Sequence, residues 1–136
     1  MEIKRVVEYQ DDTLNVRLAI GPGTALARMR RAVYSGRAMR FLDGMDKQTG
    51  VQANAMRITA SVLYPDLLGA VVEAEGLDLD ELSVAQFMEL PDTLVTQWEN
   101  ATYEAIPHWA PMFGEDEAQE EAAEKKGSSS ETSASP

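Results

Sequence analysis

The chain has 136 residues, which is the size of one ordinary domain. Its 23 acidic and 12 basic residues give a net charge of -11, which argues against a nucleic-acid-binding protein, because phosphate contacts need a positive surface. The sequence contains no Cys, which excludes disulfides, a thiolate nucleophile and any cysteine-bearing zinc or iron–sulfur site.

The first twenty residues have the pattern of an antiparallel β-hairpin. Ile3, Val7 and Tyr9 lie in a run rich in β-forming residues. A polar turn at residues 10–12 follows, and beyond it every second residue is apolar: Leu14, Val16, Leu18 and Ile20. This alternation predicts a strand with one buried face, paired with the strand before it.

A helix is predicted next. Gly21, Pro22 and Gly23 end the second strand, and Thr24 can cap the helix. The helical period is carried by three apolar residues: Leu26, Met29 and Val33. We expect this helix to reach Phe41 or Leu42.

Two further helices are predicted on either side of Pro65. The first rests on residues spaced four, three and four apart: Val51, Ala55, Ile58 and Val62. Pro65 suits the first turn of the next helix, for which we expect Gly76 to be the stop. The residues predicted to face inward on that helix are Leu67, Leu68, Val71 and Val72.

The last two predicted helices follow the short connection 77–82. Ser83 and Gln86 form a capping-box pattern, which predicts a short helix over Ser83–Glu89. A longer helix opens at residues 90–92 and ends at Pro107, with one apolar stripe: Leu94, Trp98, Ala101 and Ala105. The predicted fold is α+β, a mostly helical single domain with an N-terminal β-hairpin and about five helices.

The final stretch, residues 114–136, differs in composition. It holds seven acids, two bases and a Ser-rich end, and it has no large apolar residue. Such a segment cannot bury enough surface to offset its ordering entropy. We therefore predict a folded domain over residues 1–113 and a disordered acidic tail over 114–136.

Charge is distributed unevenly along the chain. Residues 1–57 contain ten bases and six acids, whereas residues 58–136 contain two bases and seventeen acids. One interpretation is that the basic first helix packs near the acidic later helices, where exposed pairs contribute little. The other is that the asymmetry guides association, with the chain itself or with a partner, through three arginines: Arg28, Arg31 and Arg40.

The residues offer no catalytic, metal or cofactor motif, and we expect the protein not to be an enzyme. His108 is the only His, and its position past a helix end favours a packing or capping role. Asp78, Asp80 and Glu81 lack the Gly and distal Glu of a calcium loop, so a solvated turn is favoured. The turn at residues 21–24 lacks the Gly-Lys-Ser/Thr of a phosphate-binding loop.

Two features favour partner binding. The chain has seven Met, whose flexible side chains suit surfaces that accept varied apolar partners, although gap-filling in the core is the alternative. Aromatic residues concentrate near the end of the folded region, where they either seal the core or anchor a partner: Trp98, Tyr103, Trp109 and Phe113.

Residues 87–109 resemble the closing motif of the tail assembly chaperones of long-tailed bacteriophages and their prophage copies. The residues that carry the resemblance are Phe87-Met88-Glu89-Leu90-Pro91, Leu94-Val95, Trp98, Ala101, Tyr103-Glu104 and Pro107-His108-Trp109. That family often ends a helix in an Asn-Pro-His-Trp-like sequence, and here Ile106 stands in place of the Asn. Upstream, the similarity is one of general layout and includes Tyr64-Pro65-Asp66-Leu67.

The resemblance implies a non-enzymatic protein of virion morphogenesis. Such chaperones coat the tape measure protein, a long helical apolar chain, until tail tube subunits polymerise around it. Many of their genes also yield a longer, frameshifted product, which fits the stretch Glu124-Lys125-Lys126-Gly127 if an A-rich slippery sequence encodes it. The implied location is the host cytoplasm, with the protein absent from the mature virion.

The start of the chain lacks the apolar run of a signal peptide, and the most apolar stretch is broken by Pro65 and Asp66, so we expect an intracellular protein that contacts no membrane. Self-association is compatible with the charge asymmetry. The alternative to a chaperone is a small acidic adaptor or regulatory protein that binds one folded partner. A chaperone coat predicts several copies on each partner chain, whereas an adaptor predicts a small fixed stoichiometry.

Overall fold

The computed structural model describes residues 2–111. Within them the chain forms three strands and five α-helices: β1 (Arg5–Gln10), β2 (Asn15–Ile20), α1 (Ala25–Gly44), α2 (Val51–Ile58), α3 (Tyr64–Ala70), β3 (Val71–Glu75), α4 (Val84–Met88) and α5 (Asp92–Ala105). A π-helical turn, Thr59–Leu63, joins α2 to α3, and a 3₁₀ turn, Pro107–Trp109, follows α5. The predicted α+β class, with its N-terminal hairpin, is confirmed. Phe113 and the predicted tail over 114–136 lie outside the described residues.

The hairpin pairs β1 with β2 in antiparallel register, as the alternation predicts. Asp11 closes its turn, since its carboxylate accepts hydrogen bonds from the backbone N–H groups of Thr13 at 2.7 Å and Leu14 at 2.8 Å. The hydroxyl of Tyr9 donates to the same carboxylate at 2.6 Å. The Tyr9 bond and these backbone donors lower the pKa of Asp11 to about 2.

The prediction that the third helix runs to Gly76 is wrong. α3 ends at Ala70, and the chain continues as β3, which pairs antiparallel with β2 and completes a sheet of order β1-β2-β3. Val71 and Val72 were expected on a helix face, but β-branched side chains favour strands, and β2 offers a free edge. Gly76 follows with φ of +82°, and a Cβ there would stand 1.9 Å from the Asn15 carbonyl oxygen.

α1 begins and ends close to the predicted positions. The hydroxyl of Thr24 accepts a hydrogen bond from the Ala27 N–H at 3.2 Å, which is the predicted cap, and the helix extends to Gly44, two residues beyond Leu42. It crosses α3 closely, because a Cβ on Gly69 would lie 2.8 Å from the Cα of Arg31. Gly69 therefore sets the distance between the two helices.

α4 and α5 follow the predicted pattern. The Ser83 hydroxyl accepts from the Gln86 N–H at 3.1 Å, and the Gln86 side chain accepts from the Ser83 N–H at 3.0 Å. This is the predicted capping box. α5 begins directly after Pro91 and ends before Pro107.

A row of aromatic rings runs through the core. Tyr34 contacts Tyr64 edge-on at a centroid distance of 5.9 Å, Tyr64 contacts Phe87 at 5.6 Å, and Phe87 contacts Trp98 at 5.8 Å. The indole N–H of Trp98 donates to the Leu67 carbonyl at 2.9 Å. The row therefore links α1, α3, α4 and α5, and its buried indole N–H is satisfied.

Candidate interaction surface

The apolar residues that predict α1 lie in solvent. Leu26, Met29 and Val33 are 49%, 65% and 62% exposed. The helix instead turns a different set of residues into the core: Ala27, Tyr34 and Ala38. Phe41 and Leu42 also pack against the core, so α1 has apolar residues on both its inner and its outer side.

These exposed residues form a continuous line along the helix. At about 100° per residue, positions spaced three and four apart return to the same side of a helix. The line, which we call the α1 seam, consists of Leu26, Met29, Val33, Gly36 and Arg40. It has the heptad spacing of a helix that meets a second helix, and it is about 21 Å long.

The middle of the seam is open. No atom lies within 4 Å of a Cβ built on Gly36, so nothing in residues 2–111 requires glycine there. A glycine in an exposed helix interior is unfavourable relative to alanine by about 1 kcal/mol. Ala32, also exposed, lies beside it. Small side chains at this point let the backbone of another helix approach closely.

The surroundings of the seam are basic. α1 contains five Arg and one Asp, in a chain whose net charge is -11. Arg30 and Arg37 bend inward, and their guanidinium groups donate to the carbonyls of Gly69 at 3.1 Å and Leu79 at 3.3 Å. The guanidinium groups of Arg28 and Arg40 are exposed and make no hydrogen bond or salt bridge within residues 2–111.

Arg31, the third arginine proposed for association, makes contacts within the domain. Its guanidinium lies 3.5 Å from the Asp66 carboxylate and 4.2 Å from the centre of the Trp109 ring. Arg31 therefore fastens α1 to α3 and to the 3₁₀ turn. Arg40, nine residues further on, points about 180° away around the helix. Arg28 lies about 120° from Arg40 by the same rule, so Arg28, Arg31 and Arg40 do not share one side of α1.

Tyr103 belongs to the same internal contact. Its hydroxyl donates to the Asp66 carboxylate at 2.8 Å. Burial raises the pKa of Asp66 above its usual range, although Tyr103 and Arg31 act in the opposite direction. Burial and the nearby Asp66 carboxylate raise the pKa of Tyr103. This cluster holds helices together and lies away from the seam.

The other aromatic candidates are placed in or against the core. Trp98 is fully buried and Trp109 is 8% exposed, which favours the core alternative over a partner anchor for both. Phe113, the fourth candidate, is outside the described residues. His108 is exposed and meets the Trp109 ring edge-on at 6.4 Å, a packing contact of the kind expected.

α2 also exposes apolar residues from whose spacing the helix was predicted. Val51 is 88% exposed and Ile58 is 41% exposed, whereas Ala53 is buried. Periodicity locates both helices but does not say which side faces inward when alanines line the other side. In α1, the large apolar residues outnumber the small residues that are buried. This excess was the sequence signal that could have indicated an exposed apolar surface.

A groove of about 630 Å³ runs beside β3, with Tyr34 in its wall. The carboxylate of Asp78 accepts a hydrogen bond from the Asp80 N–H at 3.1 Å, which closes an exposed turn at its rim. This is the solvated turn that the sequence favours for Asp78, Asp80 and Glu81. The Asp78 carboxylate thus stabilises the turn, and Asp80 and Glu81 are exposed beside it.

Metal-binding clusters and membrane-spanning helices are absent from the part of the chain that the structure describes. Residues 2–111 contain no group of three His, Asp or Glu side chains placed to hold a metal ion. None of the described helices is both long and apolar enough to cross a bilayer. Comparisons with protein-family models, with curated proteins and with solved structures give no match.

Proposed function

We propose that this protein is a non-enzymatic tail assembly chaperone of a long-tailed bacteriophage or prophage. It binds the tape measure protein in the host cytoplasm, keeps that long helical chain soluble, and leaves before the virion is complete. The observation that carries the proposal is the exposed α1 seam, in which Leu26, Met29 and Val33 stand in solvent along one side of a 20-residue helix.

The seam suits a helical client. Single exposed apolar side chains are ordinary on protein surfaces, but a contiguous line of them marks an interaction site. Heptad spacing matches the seam of a second helix, and the thioether of Met29 can adapt to different side chains along a client. Apolar contact would supply the affinity.

The charge of the whole chain suits the same role. A complex of several copies on one apolar chain would bring many domains close together. The net charge of -11 on each copy opposes aggregation of such complexes. A longer frameshifted form would add a segment to recruit the tail tube protein while the shared domain holds the client.

The residues that resemble the phage family lie in the body of the domain and not in the seam. Residues 87–109 supply α4, α5 and the 3₁₀ turn, and they include the buried rings of Phe87, Trp98 and Trp109. They form part of the core, and Trp109 contacts the Arg31 guanidinium of α1. The apolar surface on α1 is separate from the residues that carry the resemblance.

Co-expression tests the proposal. The client is the long coiled-coil-rich reading frame expected immediately downstream of the gene. We expect this client to be soluble with the parent protein and insoluble alone or with the double variant Met29→Gln, Val33→Gln. The matched control is Val51→Gln, since Val51 is more exposed than either residue but lies on α2. Equal solubility with and without the protein would contradict the chaperone function.

Stoichiometry separates the chaperone from the adaptor. Native mass spectrometry of the co-purified complex should show several copies of this chain on one client chain. A single copy bound to one folded partner would instead support the adaptor.

A further inference from the structure

We propose that the α1 seam recognises an amphipathic helix whose apolar heptad stripe is flanked by acidic side chains. The proposal rests on the proposed function and specifies the chemistry of the client segment that binds. Its basis is the combination of an exposed apolar line with arginine side chains on the same helix that are unpaired within residues 2–111.

The apolar part of the seam calls for an apolar stripe on the occupant. Leu26, Met29 and Val33 are each about half or more exposed, and Gly36 leaves room for close approach. Covering them with polar side chains would leave the apolar surface without a partner. A helix that repeats apolar residues at heptad spacing matches their positions.

Positive charge on and beside the seam calls for acids. Arg28 lies near the start of α1 and Arg40 near its end, and neither side chain is paired within residues 2–111. They are about 18 Å apart along the helix axis and about 120° apart around it, so Arg40 ends the seam and Arg28 lies beside it. Arg30 and Arg37 add positive charge along the other margin. A partner helix complements this pattern with acids on the margins of its stripe, near both ends.

Two other occupants fit less well. A second copy that paired through the same seam would bring two basic helices together, each with five Arg and one Asp. Like charges in contact oppose such a pairing. The acidic run at residues 115–124 of this chain would match the arginines, but it contains no large apolar residue to cover Leu26, Met29 and Val33.

The test compares two synthetic helical peptides on the full chain. Both have four heptads with leucine and alanine in the stripe, and both have the same composition and net charge. The first carries its glutamates on the margins of the stripe, near both ends, and the second carries them on the opposite side. By fluorescence anisotropy at low salt we expect the first peptide to bind about tenfold more tightly. That ratio should shrink at 1 M salt, where the screening length is about 3 Å.

Two variants connect the preference to α1. The double variant Arg28→Gln, Arg40→Gln should bind both peptides equally while keeping the parent circular dichroism spectrum. The control Lys4→Gln, Arg17→Gln also removes two positive charges, at the strand end and on the sheet, where they pair with exposed carboxylates. It should keep the tenfold ratio.

The outcomes that overturn this proposal differ from those that overturn the function. Equal affinity of the parent for both peptides, or a tenfold ratio unchanged by Arg28→Gln, Arg40→Gln, would refute the acid-flanked helix and leave client solubilisation intact. Sedimentation that showed seam-dependent self-association, undisturbed by either peptide, would assign the surface to a second copy and also refute it. Failure of co-expression alone would refute the function.

Discussion

At the scale of single residues, Trp98 shows how the core is held. Its ring is fully buried against Phe87, and its N–H is bonded to the Leu67 carbonyl. Trp98→Ala should therefore lower the free energy of unfolding by about 3 to 5 kcal/mol, which is the typical loss when a large ring is removed from a core. Urea denaturation measures the loss. A fully stable Trp98→Ala variant that no longer binds its client would instead make Trp98 an interface residue.

Tyr103→Phe tests the buried Asp66 contact. The variant removes the hydrogen bond to a desolvated carboxylate, so it should cost about 1.5 to 3 kcal/mol at pH 7. Loss of this donor raises the pKa of Asp66 further in the folded state. A carboxyl with a raised folded pKa contributes stability that is present below its unfolded pKa, near 3.9, and lost as pH rises through the folded pKa.

The cost of Tyr103→Phe should therefore be smaller near pH 4 than at pH 7, as measured by urea denaturation at both values. Glu104→Gln is a suitable control, because Glu104 makes only an exposed pair with Arg5. A cost that grew on acidification would contradict this assignment of the Asp66 contact.

At the scale of elements, we expect substitution by alanine to have opposite effects on stability at two glycines. Gly36→Ala adds a methyl group to open space in a helix, so it should stabilise the protein by about 0.5 to 1 kcal/mol. Gly76→Ala forces a side chain into positive φ and against the Asn15 carbonyl, so it should destabilise the protein by more than that. Thermal unfolding of both variants checks the signs, and a destabilised Gly36→Ala would show that the seam is not open.

The same scale shows what the sequence could predict. The hairpin and the capped starts of α1 and α4 depend on neighbours a few residues apart, so local patterns locate them. β3 depends on pairing with β2, more than fifty residues earlier, and no local signal distinguishes Val71–Glu75 from a helix end.

The outward side of α1 was missed for a different reason. The helix carries apolar residues on both of its sides, and periodicity detects them without saying which side is covered. The contacts of Arg31 could not be predicted from the sequence either, because only the fold brings Asp66 and Trp109 close to it. Of the predicted site residues described by the structure, Arg28 and Arg40 remain exposed at the surface.

At the scale of the whole molecule, the core of the described residues extends to Trp109 on the 3₁₀ turn. The sequence after Phe113 has no large apolar residue. Truncation after Phe113 should therefore leave the melting temperature nearly unchanged. Differential scanning calorimetry measures it, and a loss of several degrees would move the domain boundary into the acidic segment.

The central claim is that the α1 seam is the client-binding surface, and methyl NMR of the full chain tests it most directly. With methionine methyl groups labelled, Met29 reports on the seam, whereas Met45 is 3% exposed at the end of the same helix and serves as the internal control. On addition of a helical fragment of the client, the Met29 signal should shift or broaden while the Met45 signal stays in place. An unchanged Met29 signal at a client concentration that saturates binding would contradict the claim.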